Sequence, residues 1–98
     1  MRSKASRREG RQPRPDFSRK LARSIRPTRE GMAPIKTLRD AAALIASLDQ
    51  FRQARPVWDL CAEYVLRAAQ SGQRADVAEA TRCIEVALGK ENWLKGHA

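Results

Sequence analysis

Apolar residues in the last two thirds of the chain recur at helical spacing. The first such stretch places five of them on one face of a helix: Leu38, Ala41, Ala42, Ile45 and Leu48. Thr37 precedes them and suits an N-cap, and Asp40 stands three residues later, where a capping box has its acid. We therefore predict a first helix over about residues 37–49.

The second helical stretch has two apolar faces. One face comprises Val57, Cys61, Tyr64 and Ala68, and the other comprises Trp58, Ala62, Val65 and Ala69. Pro56 suits the first turn of a helix, and Gly72 is a natural stop, so the predicted helix runs over 56–71. A helix with two apolar faces is either central in a core or used by a partner.

A third helix is predicted over about 75–88, where Asp76 and Glu79 have capping-box spacing and Gly89 ends the pattern. Trp93 and Leu94 follow, and we expect them to fold back over an open end of the core. No alternating pattern typical of a strand occurs anywhere in the chain. The predicted fold is therefore all-α, a small three-helix bundle within a helical domain over 35–98.

Residues 1–34 form a different kind of segment. Residues 1–16 contain no large apolar residue after Met1, so this part of the segment cannot offset the entropy of ordering. Phe17, Leu21 and Ile25 are spaced by four, which predicts a short amphipathic helix on an anionic surface. We predict that 1–34 is a disordered, Arg-rich arm and linker.

The positive charge is concentrated in this arm. Residues 1–34 carry eleven basic and three acidic side chains, whereas 35–98 carry nine basic and eight acidic ones. A basic tail favours sequence-independent electrostatic contact with RNA or DNA, and a solvated tail without a partner remains an alternative. The candidate nucleic-acid contacts are Arg7, Arg8, Arg11, Arg14, Arg19, Lys20, Arg23 and Arg26.

The two-faced second helix suggests a protein interface instead. The candidate residues are Trp58, Val65 and Leu66, and Trp58 would be an anchor if it were exposed. The alternative is that both faces are buried in the three-helix core. A domain of this size buries only about 60% of its chain surface, so an unknown protein partner or a second copy in a homodimer would stabilise it.

Side-chain chemistry gives no catalytic site. Cys61 and Cys83 are predicted to be buried, passive thiols outside any C-x-x-C pair, which favours a reducing cytoplasm. His97, the only histidine, stands next to the chain end, so we predict no metal site, no cofactor and no enzyme activity. No apolar run reaches the length of a membrane span.

Residues Ile35 to Leu88 resemble a family of short uncharacterised helical proteins from rhizobia and related alphaproteobacteria. The most specific match is Thr37-Leu38-Arg39-Asp40-Ala41-Ala42; others are Ile45, Leu48, Arg55-Pro56, Trp58, Glu63, Ala68-Ala69, Gly72 and Ala87-Leu88. The resemblance implies a helical bacterial protein of the cytoplasm, and it does not point to any particular activity. Family members tend to begin close before the Thr-Leu-Arg-Asp segment, so Met32 is an alternative start of the native chain.

Two functions follow as hypotheses from the sequence. The first is a non-enzymatic protein–protein interaction module. The second is an accessory RNA- or DNA-binding protein that acts through the arm.

Overall fold

The computed structural model describes residues 14–94, in which a two-stranded antiparallel sheet accompanies four helices. The elements are β1 (Lys20–Ile25), β2 (Ile35–Thr37), α1 (Leu38–Ser47), α2 (Gln50–Gln53), α3 (Pro56–Ser71) and α4 (Arg74–Lys90). The all-α prediction is therefore wrong: the fold is mixed, and part of the predicted arm supplies a strand. The first thirteen residues of that arm lie outside the described residues.

β1 forms because the spacing of Leu21 and Ile25 also fits a strand. A separation of four residues places two side chains on one helix face, but it equally places them on one strand face. Both side chains are buried in the core. β1 pairs with β2 through Lys20 opposite Thr37 and Ile25 opposite Ile35, with an irregular register between them that is typical of a bulge.

Backbone hydrogen bonds attach the segment before β1 to the helices. The amides of Leu38 and Arg39, in the first turn of α1, donate to the carbonyls of Arg19 and Phe17 at 2.9 and 2.8 Å. These amides have no acceptor within their own helix, so the segment completes the N-terminus of α1. At its other end, the Asp16 amide donates to the carbonyl of Ala69 in α3 at 2.9 Å.

Side chains of α4 hold β1 itself. The Ala22 amide donates to Thr81 Oγ1 at 3.0 Å, and the Thr81 hydroxyl donates to the carbonyl of Val77 at 2.8 Å. The guanidinium of Arg23 forms a two-point ion pair with the carboxylate of Glu85. Residues 20–25 are thus part of the folded body.

The start of α1 confirms the predicted capping box. The Asp40 amide donates to Thr37 Oγ1 at 3.1 Å, and the Asp40 carboxylate accepts from the Thr37 amide at 3.2 Å. α1 ends at Ser47, and the one-turn helix α2 follows with Asp49 as its N-cap. The Gln53 side-chain amide donates to carbonyls at the end of α1, which fixes α2 against it.

The helix predicted over 56–71 corresponds to α3, which has Pro56 in its first turn and Gly72 in a left-handed cap with φ of 68°. α4 continues past Gly89, which was expected to end it. Asn92, at φ of 67°, adopts the left-handed conformation instead. The Asn92 and Trp93 amides donate to the carbonyls of Gly89 and Leu88, which forms a Schellman motif.

The core lies between α3 and α4, with α1 packed on α3 and β1 packed on α4. Its largest fully buried side chains are Trp58, Leu38, Ile84, Leu88, Thr81 and Cys61. Trp93 folds back and is buried as well, as the sequence indicated. No helix within residues 14–94 has both the length and the apolar character that a membrane crossing requires.

Candidate interaction surface

The predicted nucleic-acid contacts are distributed between the folded body and the undescribed N-terminus. Arg7, Arg8 and Arg11 lie outside the described residues. Arg14, Arg19, Lys20, Arg23 and Arg26 are all exposed. Arg23 is committed to its ion pair with Glu85, which raises its pKa through the Glu85 hydrogen bond and charge.

Two of these residues meet a third basic side chain at a shallow hollow. Arg19 and Lys20 line it together with Arg74, the first residue of α4, and with Gly72. The Arg19 guanidinium lies so close to Gly72 that a Cβ there would come within 2.5 Å of it. Part of the segment that was predicted to be a disordered arm is therefore folded, and it contributes to a basic surface.

The three predicted interface residues are in different environments. Trp58 is fully buried, and its indole Nε1 donates to Glu91 Oε2 at 2.9 Å. Val65 is also buried. Leu66 keeps 44% of its surface exposed. Trp58 therefore belongs to the core and is not an exposed anchor, and Leu66 alone of the three presents an apolar side chain to solvent.

Leu66 borders a mostly apolar groove of about 360 Å³ between α1 and α3. The groove is lined by Phe17, Ala42, Ile45, Ala46, Gln53, Trp58, Asp59, Ala62, Val65 and Leu66. Its position follows from the second apolar face of α3. Trp58 and Val65 turn into the core, and Ala62 and Leu66, farther around the helix, are left at the surface.

Three other large apolar residues are exposed in the described part of the chain: Phe51 at 86%, Leu60 at 43% and Val86 at 40%. None of them lines the groove. Scattered single apolar residues are common on protein surfaces, whereas a continuous apolar groove is typical of a binding surface. The groove is therefore a stronger candidate for a binding surface than these three single residues are.

A polar cluster around the Glu91 carboxylate lies at the start of α3, where Trp58 is buried. The Glu91 side chain is 4% exposed and accepts hydrogen bonds from Trp58, from Arg52 Nε at 3.1 Å and from an Arg55 guanidinium nitrogen at 2.8 Å. Burial alone would raise the pKa of Glu91. The hydrogen bonds from Trp58 and Arg52 and the charges of the two arginines outweigh burial and lower that pKa.

Trp93 continues this cluster. The guanidinium carbons of Arg29 and Arg52 lie 4.4 and 4.9 Å from its ring centroid, within cation–π range. The carbonyl of Trp93 accepts a hydrogen bond from the Thr28 amide at 2.7 Å. The guanidinium groups of Arg52 and Arg55 bind the Glu91 carboxylate, and that of Arg29 lies over the Trp93 ring, so we regard the cluster as structural.

Cys61 and Cys83 are both buried, as predicted, and both are free thiols. The structure adds a relationship that the sequence did not reveal, because their sulfur atoms lie 2.9 Å apart across the α3–α4 contact. No group of three or more His, Cys, Asp or Glu residues within 14–94 could hold a metal ion. His97 lies outside the described residues.

Comparisons of this chain with protein-family models, with curated proteins and with solved structures give no match.

Proposed function

We propose that this protein is a non-enzymatic interaction module of the cytoplasm, and that a second copy of the chain docks in the α1–α3 groove. The observation that supports this proposal is the combination of the exposed Leu66 with exposed alanines in one apolar groove. The proposal rests on the shape and composition of the described residues.

In the proposed dimer, the groove serves as both halves of a symmetric interface. In a two-fold interface the same patch serves both copies, so it must contain a protruding part and a matching hollow. Leu66 protrudes at the edge, and Ala46 and Ala62 leave space within the lining. A two-fold axis through the groove would place the Leu66 side chain of each copy over the alanines of the other.

The small size of the folded body supports the same conclusion. A chain of this length buries a modest share of its surface, and association is a common source of additional stability. Covering Leu66, Ala62 and Ile45 would remove apolar surface from water at about 25 cal/mol per Å². The polar groups of the lining, Gln53 and Asp59, would then lie at the rim of the interface.

Sedimentation equilibrium of the full chain tests this proposal. We expect a reversible dimer, a monomeric Leu66→Glu variant and a dimeric Leu60→Glu variant. Leu60 is the matched control because it lies in the same helix, is equally exposed and is outside the groove. A wild-type chain that stays monomeric at high concentration would overturn the proposal, as would equal disruption by both substitutions.

A second candidate function is electrostatic binding of RNA or DNA. It is favoured by the hollow where Arg19, Lys20 and Arg74 converge, which adds a fixed basic surface to the charge of the N-terminal segment. Anisotropy of a labelled RNA oligonucleotide should show affinity that falls steeply with salt. The Lys20→Glu/Arg74→Glu double variant should bind more weakly than Lys36→Glu/Lys90→Glu, which carries the same charge change elsewhere. Equal affinities of the two double variants would show that the hollow is not the RNA-binding surface.

A further inference from the structure

The strongest unassigned feature is the pair of thiols inside the α3–α4 contact. Cys61 and Cys83 are 22 positions apart in sequence, yet their sulfur atoms are separated by 2.9 Å. A disulfide bond measures about 2.05 Å, so closing it requires the two sulfurs to approach by about 0.9 Å. Side-chain adjustment within two packed helices can supply a movement of this size.

From this juxtaposition we infer that Cys61 and Cys83 are a modification site, at which a peroxide oxidises the two thiols to a disulfide that joins α3 to α4. The inference is independent of the proposed dimer, because neither cysteine lines the groove. It also differs from the passive role expected of each cysteine alone, since the reaction depends on their being neighbours.

The two thiols have different access to an oxidant. Cys61 is fully buried, whereas Cys83 retains 9% of its surface. The Cys61 thiol donates a hydrogen bond to the Cys83 sulfur, which favours a thiolate on Cys83. Burial raises the pKa of both thiols, so we expect slow oxidation with Cys83 as the first sulfur to react.

The chemistry balances with a peroxide as the only co-reactant. The Cys83 thiolate attacks one oxygen of hydrogen peroxide, the O–O bond breaks, and Cys83 becomes a sulfenic acid as hydroxide leaves. The Cys61 sulfur then attacks the Cys83 sulfur, the S–O bond breaks, and the Cys61 proton departs with the oxygen as water. In total, two thiols and one peroxide give one disulfide and two waters.

The disulfide would act on the stability of the fold. It would join the two helices that enclose most of the core, and a cross-link between distant positions restricts the unfolded chain. We expect oxidation to raise the midpoint of thermal unfolding by about 10 °C or more. Dithiothreitol should reverse the change.

The test uses the full chain, reduced and then treated with hydrogen peroxide under native conditions. Intact mass should fall by two hydrogen atoms, and peptide mapping should identify a Cys61–Cys83 cross-link within one chain. A parallel sample unfolded in urea shows that the oxidant is sufficient. If both thiols remain free in the native sample while the unfolded sample is oxidised, or if the main product links two chains, the inference is wrong.

Single variants test the order of the steps. In Cys61→Ala, Cys83 lacks its partner, so its sulfenic acid should persist and react with dimedone. In Cys83→Ala, the fully buried Cys61 should remain unmodified. Labelling of Cys61 in Cys83→Ala without labelling of Cys83 in Cys61→Ala would overturn the assigned order. If a variant fails to fold, the mass measurement on the wild-type chain still tests whether the disulfide forms.

Discussion

The carboxylate of Glu91, just beyond the last residue of α4, accepts a hydrogen bond at 2.9 Å from the indole of Trp58, which is fully buried near the start of α3. Arg52 and Arg55 bind the same carboxylate from the surface side. One acid thus accepts from a buried donor and holds α2 and the start of α3 to the end of α4.

Replacing Glu91 with Gln should lower the free energy of unfolding by about 1–2 kcal/mol at neutral pH. The amide oxygen can still accept from Trp58, but it loses the charge that faces Arg52 and Arg55. Urea unfolding followed by Trp fluorescence measures this change. Glu63→Gln, an exposed substitution on α3, is the control and should leave the unfolding midpoint almost unchanged.

The difference in stability between wild type and Glu91→Gln should depend on pH. The pKa of Glu91 is lowered in the folded protein, so its contribution to stability is complete above the unfolded pKa of about 4.3. That contribution is lost as the pH falls through the lower, folded value. The difference in unfolding free energy between wild type and Glu91→Gln should therefore shrink below about pH 4. A constant difference down to strongly acidic pH would contradict the lowered pKa.

Replacing Thr81 with Val should cost about 1–2 kcal/mol although it preserves the volume of a fully buried side chain. The variant removes the acceptor of the Ala22 amide, which then has no partner beside α4. Hydrogen exchange should show faster exchange at the Ala22 amide. Thr28→Val, at an exposed position, makes the same chemical change and should alter neither exchange nor stability.

Replacing Gly72 with Ala should destabilise the protein by about as much as Gly31→Ala does. Both glycines have positive φ, so both substitutions carry a similar backbone cost of about 1–2 kcal/mol. A Cβ at Gly31 meets open space, and one at Gly72 meets only the guanidinium end of the flexible Arg19 side chain, which can move aside. Thermal unfolding of the two variants measures both losses, and a clearly larger loss for Gly72→Ala would show that the Arg19 guanidinium is held in place.

A chain that begins at Met32 should lose cooperative thermal unfolding. It lacks Leu21 and Ile25, which are buried, and the carbonyls of Phe17 and Arg19 that complete the start of α1. Leu21→Ala is a milder version and should cost about 2–4 kcal/mol. Circular dichroism of these chains, with exposed Arg26→Ala as the control, makes the comparison. A truncated chain that melts like the full one would show that β1 is dispensable.

Features that depend on neighbouring residues could be predicted from the sequence. The capping box of Thr37 and Asp40 and the glycine stop at Gly72 depend on residues within one or two helical turns. Such local preferences act whatever the rest of the fold does. The end of α4 is an instructive exception, because Gly89 remains helical and Asn92 takes the left-handed position.

β1 could not be predicted because its stability comes from distant residues. Its sequence is polar apart from Leu21, Ala22 and Ile25, and its partners are β2, Thr81 and Glu85. The spacing of its apolar residues fits helix and strand alike, so periodicity could not distinguish them. The thiol pair could not be predicted for a related reason. The pattern around each cysteine describes only its own helix, and it is the packing of α3 on α4 that brings the two sulfur atoms together.

The attachment of β1 to α4 has a consequence for synthesis on the ribosome. β1 is translated early, but the hydroxyl and carboxylate that hold it belong to Thr81 and Glu85. The indole of Trp58 likewise has no Glu91 acceptor until the residues after α4 have been translated. Because these contacts join β1 and the start of α3 to residues in and just after α4, the nascent chain cannot complete its core before α4 has emerged. We therefore expect the cooperative folding step to come late in translation.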